Sequence, residues 1–111
     1  MSLTGNAGDT FEAYLTFDLS ALAPSGGSTQ ISNNVGADLD FSTFQLFART
    51  GSGTPTGGVL ATGTVTNNVA STIVDFANLN FTSLAAGFYV LKLTGSFASA
   101  GTGSINGTVS A

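Results

Sequence analysis

The chain of 111 residues contains no cysteine and no histidine. Without cysteine there are no disulfides, thiolate nucleophiles or iron–sulfur clusters, and without either residue the usual zinc sites are excluded. Catalytic triads and general bases built on an imidazole are excluded as well. Any chemistry of this protein must therefore rest on carboxylates, hydroxyls, amides and aromatic rings.

Charge is also scarce, with two basic and six acidic side chains, a net charge of −4 and only 7% charged residues. An ordinary soluble domain carries about 25%. The two cations, Arg49 and Lys92, lie far apart in the sequence and cannot neutralise a run of phosphates, so binding to nucleic acid or to anionic lipid lacks its driving force. No apolar run approaches the roughly 20 residues of a membrane-spanning helix. We expect no nucleic-acid partner and no membrane span in this segment.

What the sequence does contain is Thr, Ser, Asn and Gly, which together make up almost half of the chain. A surface with these residues in place of Lys and Glu is typical of extracellular proteins. The length fits one domain over residues 1–111, because a chain of this size builds one core and not two. Residues 1–8 are expected to be either a flexible N-terminus or residues added for expression.

Alternation of apolar and polar residues dominates the pattern and predicts strands. It is clearest in Thr10–Leu19, where the apolar residues occupy every second position as in a half-buried antiparallel strand. The alternation changes parity at Ser42–Thr43, which predicts a bulge, turn or strand break, and again near Phe76, which predicts a bulge. Seven or eight short strands in one small domain predict an all-β antiparallel sandwich or jelly roll, with a closed barrel as the alternative.

Further strands and loops are predicted along the rest of the chain. Strands are expected at Thr29–Val35, Val59–Thr66, Ser71–Phe81 and Phe88–Phe97. Glycine-rich Gly51–Gly58 is expected to be a hairpin or longer loop, and Thr82–Gly87 a turn containing at most one helical turn. Ser104–Ser110 is either a last strand or a small hairpin around Asn106–Gly107, a dipeptide that favours type I′ turns.

Only the carboxylates are candidates for acid–base catalysis: Asp9, Glu12, Asp18, Asp38, Asp40 and Asp75. A glycosidase needs two of them about 5 to 10 Å apart, and Glu12 could pair with Asp18 or Asp38 across a sheet face. The alternative is that they are solvated side chains on strands and loops. With no histidine and two cations, the chain has few means to tune a carboxylate or to stabilise developing charge. The sequence therefore predicts a protein that is not an enzyme.

Asp38 and Asp40 are the candidate metal ligands. Together with Asn33-Asn34 they place hard oxygen ligands close together in the sequence, as in the calcium sites of loops. Asp9 with Glu12 is a weaker second option. The local spacing is not that of an EF-hand, and the alternative is an ordinary charged strand edge. Calcium is the one cofactor that the sequence suggests.

Three aromatic residues are predicted to point outward from their strands: Tyr14, Phe47 and Phe88. An exposed ring among hydrogen-bonding side chains can stack on a sugar or contact a protein partner. The alternative is that loops cover both sheet faces and these rings form a second small apolar cluster.

Three segments of the chain resemble the bacterial PEP-CTERM proteins of the FxDxF type: Thr10–Ser20, Leu84–Gly95 and Gly103–Val109. Where the Asp of that motif would lie, this chain has Ala13, if Phe11 and Leu15 are the flanking positions. The resemblance implies an exported domain, sorted by an exosortase, from which the targeting signals have been trimmed. It also implies a role at the cell surface or in the extracellular polysaccharide matrix, and it offers no catalytic residues to transfer.

Taken together, these features predict a non-catalytic structural or interaction domain that is secreted or displayed on the surface of a bacterium. Its expected partner is an extracellular polysaccharide or biofilm matrix. One alternative is a carbohydrate-binding module that uses the exposed aromatic residues. Another is a self-assembling subunit, like a pilin or a phage surface protein, whose strand edges pair with other copies.

Overall fold

The computed structural model describes residues 1–19, 27–33, 36–50, 55–68, 75–82 and 84–110. These residues form ten strands and no helix, which confirms the all-β prediction with more strands than the seven or eight expected. The strands are β1 (Ser2–Gly5), β2 (Thr10–Leu19), β3 (Gly27–Asn33), β4 (Leu39–Arg49), β5 (Pro55–Thr62), β6 (Thr64–Thr66), β7 (Asp75–Phe81), β8 (Gly87–Phe97), β9 (Gly101–Ser104) and β10 (Asn106–Ser110).

The strands pair in three antiparallel sheets, an arrangement compatible with a β-sandwich. The front sheet has the order β2-β8-β4-β5, the back sheet has the order β10-β3-β7-β6, and β1 pairs with β9 in a small two-stranded sheet. Because successive side chains of a strand point to opposite faces, each four-stranded sheet directs every second side chain toward the other sheet. The inward side chains form one buried cluster, which includes Ile31, Phe44, Leu46, Leu79 and Leu93.

The strand predicted at Thr10–Leu19 is confirmed with the same bounds as β2. It pairs with β8 over its whole length, from Thr10 opposite Ser96 to Leu19 opposite Gly87. The bulge predicted at Ser42–Thr43 is also confirmed, because the pairing of β4 with β8 shifts between Phe41 and Thr43. This bulge lets both halves of β4 direct their apolar residues inward despite the change of parity.

The bulge predicted near Phe76 is wrong. Strand β7 pairs with β3 residue by residue through this position, with Phe76 opposite Ser32 and Asp75 opposite Asn33. The inward positions of β7 begin with the fully buried Asp75 and continue with Ala77. The prediction fails because Asp75 points inward, whereas the alternation of apolar residues places its side chain on the solvent side. Residues 71–74 of the predicted strand lie outside the described residues.

Gly63 divides the strand predicted at Val59–Thr66 between the two large sheets. The chain pairs with β4 in the front sheet before Gly63 and with β7 in the back sheet after it. Gly63 donates its N–H to the carbonyl oxygen of Phe44 at 2.7 Å. A Cβ at this position would overlap the carbonyl oxygen of Asn78, so the crossing requires glycine.

Other boundaries also differ from those predicted. Residues 55–58 belong to β5 where a loop was expected, while residues 51–54 of that loop lie outside the description. Of the two alternatives for Ser104–Ser110, the last strand is confirmed: Asn106–Gly107 begins β10 and is not a hairpin turn, because β9 and β10 pair with different partners. In the segment predicted as a turn, the described residues 82 and 84–87 contain no helical turn.

The N-terminal segment that the sequence predicted to be flexible or added for expression, residues 1–8, contains strand β1. Ser2–Gly5 pairs with β9, and the Met1 ammonium donates a hydrogen bond to the carbonyl oxygen of Ile105 at 3.0 Å. The N–H of Ile105 in turn donates to the carbonyl oxygen of Met1 at 2.8 Å. Within the described ranges there is no helix long and apolar enough to cross a membrane.

Candidate functional site

The three aromatic residues predicted to point outward lie on one face of the front sheet. Directly paired residues of antiparallel strands point to the same side. One row across the sheet joins Tyr14 to Lys92, and the next row joins Val90 to Phe47. Phe88 lies one step further along the same side of β8. We call this surface, with Tyr14, Phe47 and Phe88, the aromatic face.

The aromatic residues of this face are separated by more than the width of a single aromatic ring. Tyr14 and Phe88 are 40% and 53% exposed, whereas Phe47 is half-buried. From the strand rise and spacing, the backbone positions of Tyr14 and Phe88 lie roughly 14 Å apart, with that of Phe47 on the far side of β8. Val90, next to Phe47, is fully buried. The face thus has two exposed aromatic ends and a middle that is largely covered.

Tyr14 is held by charged neighbours at its end of the face. Its hydroxyl donates a hydrogen bond to Glu12 Oε2 at 3.0 Å, and this bond raises the pKa of Tyr14 above its usual value of 10.0. The Lys92 ammonium lies 3.8 Å from Glu12 Oε1. The ring therefore has a carboxylate and an ammonium beside it, both partly exposed to solvent.

Phe88 is supported by a cation at the opposite end. The Arg49 guanidinium carbon lies 5.2 Å from the centre of the Phe88 ring, within the range of a cation–π contact. Arg49 also forms an ion pair with Asp18 and donates to the carbonyl oxygen of Tyr89 at 3.0 Å. The Arg49 side chain is only 11% exposed, and these charge-assisted contacts hold it in place beside Phe88.

A second group of candidate site residues lies where the two large sheets meet, at the start of β4 and of β7. Asp38, Asp40 and Asp75 each place one carboxylate oxygen within 4.8 Å of the others. We call these three residues the acidic cluster. The sequence indicated Asp38 and Asp40 as ligands but missed Asp75 in this role. Asp75 lies far along the chain, and no local motif connects it with the other two.

Asn67 and Asn68 join the acidic cluster to both sheets. The Asn67 side chain accepts a hydrogen bond from the N–H of Phe41 at 2.7 Å and donates to the carbonyl oxygen of the same residue at 2.9 Å. Asn68 has a positive φ of 53°, which asparagine tolerates better than most residues. Its N–H donates to Asp75 Oδ1 at 2.8 Å, and its side-chain amide donates to Asp40 Oδ1 at 3.2 Å.

Asp38 is held by the loop that follows β8. The N–H of Asp38 donates to Ser99 Oγ at 2.9 Å. The carbonyl oxygen of Asp38 accepts hydrogen bonds from the N–H groups of Ala98 at 2.8 Å and Ser99 at 3.3 Å. Because the backbone of Asp38 is fixed from two sides, its carboxylate stays close to the other members of the acidic cluster.

The electrostatic environment of the acidic cluster disfavours ionisation. The pKa of Asp75 is raised to about 6, mainly by burial; the Asn68 hydrogen bond opposes this rise, and the nearby Asp38 and Asp40 carboxylates add to it by smaller amounts. Burial, followed by the charge of Asp40, also raises the pKa of Asp38. Asp75 Oδ2 and Asp38 Oδ1 are both buried and have no hydrogen-bond partner among the described residues.

Of the two asparagines proposed as ligands beside Asp38 and Asp40, the structure describes Asn33. Asn33 is fully buried and lies directly opposite Asp75 in the pairing of β3 with β7. Its side-chain amide donates to the carbonyl oxygen of Ser104 at 2.8 Å. Asn34 lies outside the described residues. In the second metal option, Asp9 Oδ2 accepts a hydrogen bond from the N–H of Asn6 at 2.9 Å, and Glu12 contacts Tyr14 and Lys92.

The structure does not bring Glu12 and Asp18 together as a catalytic pair. Both lie on the outward side of β2, six residues apart, which corresponds to roughly 20 Å along an extended strand. This separation is about twice the upper limit for an inverting glycosidase. Each carboxylate also faces a cation, Lys92 for Glu12 and Arg49 for Asp18. Neither is positioned to act on the same bond as the other.

Comparison of the chain with protein-family models, with curated proteins and with solved structures found no match. The resemblance to PEP-CTERM proteins therefore stays a prediction.

Proposed function

We propose that this protein is a non-catalytic domain that binds extracellular polysaccharide through the aromatic face. One observation carries the proposal: three rings that are distant in the sequence, Tyr14, Phe47 and Phe88, share one side of the front sheet. This arrangement favours a carbohydrate-binding surface over the alternative in which loops cover all three rings, since Tyr14 and Phe88 remain well exposed.

The chemistry of the aromatic face suits sugars. A pyranose ring presents C–H groups that pack on an aromatic side chain and hydroxyls that need donors and acceptors. Tyr14 and Phe88 supply the ring surfaces, while Glu12, Lys92 and Asp18 supply polar groups next to them. The charges are paired, so the surface has no strong field that would select a highly charged ligand.

The dimensions of the aromatic face favour a polymer over a single sugar. Two exposed rings roughly 14 Å apart can contact different sugar units of one chain. The Arg49 contacts keep Phe88 in place before binding, which reduces the entropy lost when a ligand binds. A polysaccharide that contacts both exposed rings would run along the paired strands β2 and β8.

Binding to a panel of bacterial, plant and animal polysaccharides tests the proposal. We expect micromolar binding that weakens at least tenfold in Tyr14→Ala and in Phe88→Ala. Val109→Ala is the matched control, because Val109 is 42% exposed on β10 of the back sheet. The proposal is wrong if no polysaccharide binds, or if the Tyr14→Ala, Phe88→Ala double variant binds as tightly as the original protein.

The cellular location is part of the same proposal. The low charge, the abundance of Thr, Ser and Asn, and the resemblance to PEP-CTERM proteins all support a place at the bacterial surface or in the extracellular matrix. Fractionation of the source cells tests this point separately from ligand binding. Recovery of the protein from the cytoplasmic fraction alone would contradict it.

Self-association is a second candidate function, favoured by the outer edge of the front sheet. Strand β5 is the last strand of that sheet, and two of its apolar side chains, Val59 and Leu60, are about half exposed. An edge of this kind can pair with another copy of the chain. Light scattering should show oligomers that Leu60→Lys disperses. A monomer at all concentrations would eliminate this candidate without affecting the first.

A further inference from the structure

We infer that Asp38, Asp40 and Asp75 bind one calcium ion, which connects the front sheet to the back sheet. The inference is independent of the aromatic face. Asp40 belongs to β4 of the front sheet, with Asp38 just before that strand, and Asp75 is the first residue of β7 in the back sheet. An ion held by all three would link two strands that are not hydrogen-bonded neighbours.

The first argument is that the protein supplies no cation for these three carboxylates. The chain has only two basic side chains. Arg49 pairs with Asp18 and Lys92 with Glu12, both on the aromatic face. The N-terminal ammonium donates to the carbonyl oxygen of Ile105. Three carboxylates that share a site without a counter-charge need a bound cation or protons to be stable there.

The second argument comes from buried oxygen atoms. Asp75 is fully buried, and its Oδ2 has no hydrogen-bond partner among the described residues. The same holds for the buried Oδ1 of Asp38. A buried carboxylate oxygen normally accepts a hydrogen bond, and leaving one without a partner is costly. A cation between these side chains would satisfy both oxygens at once.

The kind and number of ligands favour calcium among the divalent cations, and the distances are compatible with it. Carboxylate oxygens are hard ligands, which excludes a preference for soft metals. Calcium lies 2.3 to 2.6 Å from its ligands, so oxygens around one ion are separated by up to about 5 Å. The three oxygens of the acidic cluster lie within 4.8 Å of one another and meet this limit. Magnesium usually binds through one or two carboxylates and keeps several waters, whereas this site offers three carboxylates.

The number of ligands also fits calcium. Three carboxylates, each binding through one or two oxygens, can supply between three and six of the 6 to 8 ligands that calcium takes, with water in the remaining positions. The surrounding contacts hold the carboxylates in place, because Asn68 bonds to both Asp40 and Asp75 and the loop after β8 fixes Asp38. Little rearrangement is therefore needed for binding.

Calorimetric titration of EDTA-treated, dialysed protein with CaCl₂ at pH 7.5 tests the inference. We expect one calcium ion per chain, weaker binding of MgCl₂, and a rise in Tm of roughly 5 °C or more at saturating calcium. Asp40→Asn should weaken calcium binding at least tenfold. Asp9→Asn is the matched control and should bind calcium as the original protein does, because Asp9 is an exposed carboxylate outside the acidic cluster.

Two results would overturn the inference. One is the absence of saturable binding and of any change in Tm at calcium concentrations up to about 10 mM. The other is unchanged calcium binding in both Asp40→Asn and Asp75→Asn, which would place the ion elsewhere. Circular dichroism confirms that each variant is folded, and Asp40→Asn, whose side chain is only half-buried, decides the matter if Asp75→Asn does not fold.

Discussion

Replacing Asp75 with asparagine is expected to stabilise the calcium-free protein at pH 8. The substitution keeps the shape of the side chain and the oxygen that accepts the Asn68 N–H at 2.8 Å. It removes the negative charge from a fully buried side chain that shares its site with Asp38 and Asp40. Most buried substitutions destabilise a protein, so a gain would be specific to the removal of this charge.

The size of the effect follows from the pKa of Asp75. Burial, with a smaller contribution from the neighbouring carboxylates, raises this pKa from 3.8 to about 6. At about 1.4 kcal/mol per pKa unit, ionised Asp75 lowers the free energy of unfolding by about 3 kcal/mol at pH 8.

The sign of the pH dependence is set by the same raised pKa. The stabilising contribution of protonated Asp75 is complete below its unfolded pKa and is lost as the pH rises through about 6. The new amide group needs acceptors of its own, which reduces the benefit of the substitution. We therefore expect Asp75→Asn to gain about 1 to 3 kcal/mol at pH 8 and almost nothing at pH 4.

Urea unfolding followed by circular dichroism, in EDTA at pH 4, 6 and 8, measures the effect. Asp9→Asn serves as the control on an exposed carboxylate and should stay within about 0.5 kcal/mol of the original protein at each pH. In excess calcium the order should reverse, because only the original protein keeps all three ligands. The reasoning is refuted if Asp75→Asn is less stable at pH 8 in EDTA, or if its gain does not depend on pH.

Three further substitutions test the packing and the aromatic face. Phe44→Ala should lower the free energy of unfolding by about 3 to 5 kcal/mol, because Phe44 is fully buried. In the same urea experiment, Leu60→Ala on the exposed edge should change it by less than about 0.5 kcal/mol. Gly95→Ala should lower the Tm by several degrees, because its Cβ would overlap a carbonyl oxygen of β4; an unchanged Tm would show that the sheet adjusts without cost. Arg49→Met should cost about 1 to 2 kcal/mol through loss of its part-buried hydrogen bond to the Tyr89 carbonyl oxygen and of its ion pair with Asp18. Lys92→Met should cost almost nothing, and equal effects in urea would contradict the difference in their environments.

The two sites make different demands on the fold. The aromatic face needs a rigid front sheet, and ten consecutive pairs between β2 and β8 supply it. The acidic cluster depends on the corner where the chain passes from β5 in the front sheet to β6 in the back sheet. Gly63 and the Asn67 side chain hold this corner against β4. Loss of calcium should therefore loosen this corner and leave polysaccharide binding at the aromatic face unchanged.

Several features of the fold could be predicted from the sequence, because they depend on neighbours along the chain. The alternation in Thr10–Leu19 sets which side chains of β2 face inward, and the change of parity at Ser42–Thr43 signals a bulge. Near Phe76 the same reasoning failed, because a buried carboxylate at Asp75 occupies an inward position that the pattern reserves for apolar residues. The division at Gly63 was missed because the sequence indicates one strand over Val59–Thr66, and a single glycine within it does not reveal a change of sheet.

The sequence by itself determined that the protein is built from strands, that its outward positions carry hydroxyl and amide groups, and that Arg49 and Lys92 are its only basic side chains. The tertiary structure decided which residues meet. Strand order and register place Tyr14, Phe47 and Phe88 on one face and bring Asp75 to Asp38 and Asp40. The physical reason is that side-chain direction within a strand follows from local geometry, whereas strand pairing depends on contacts between segments that are distant in the chain.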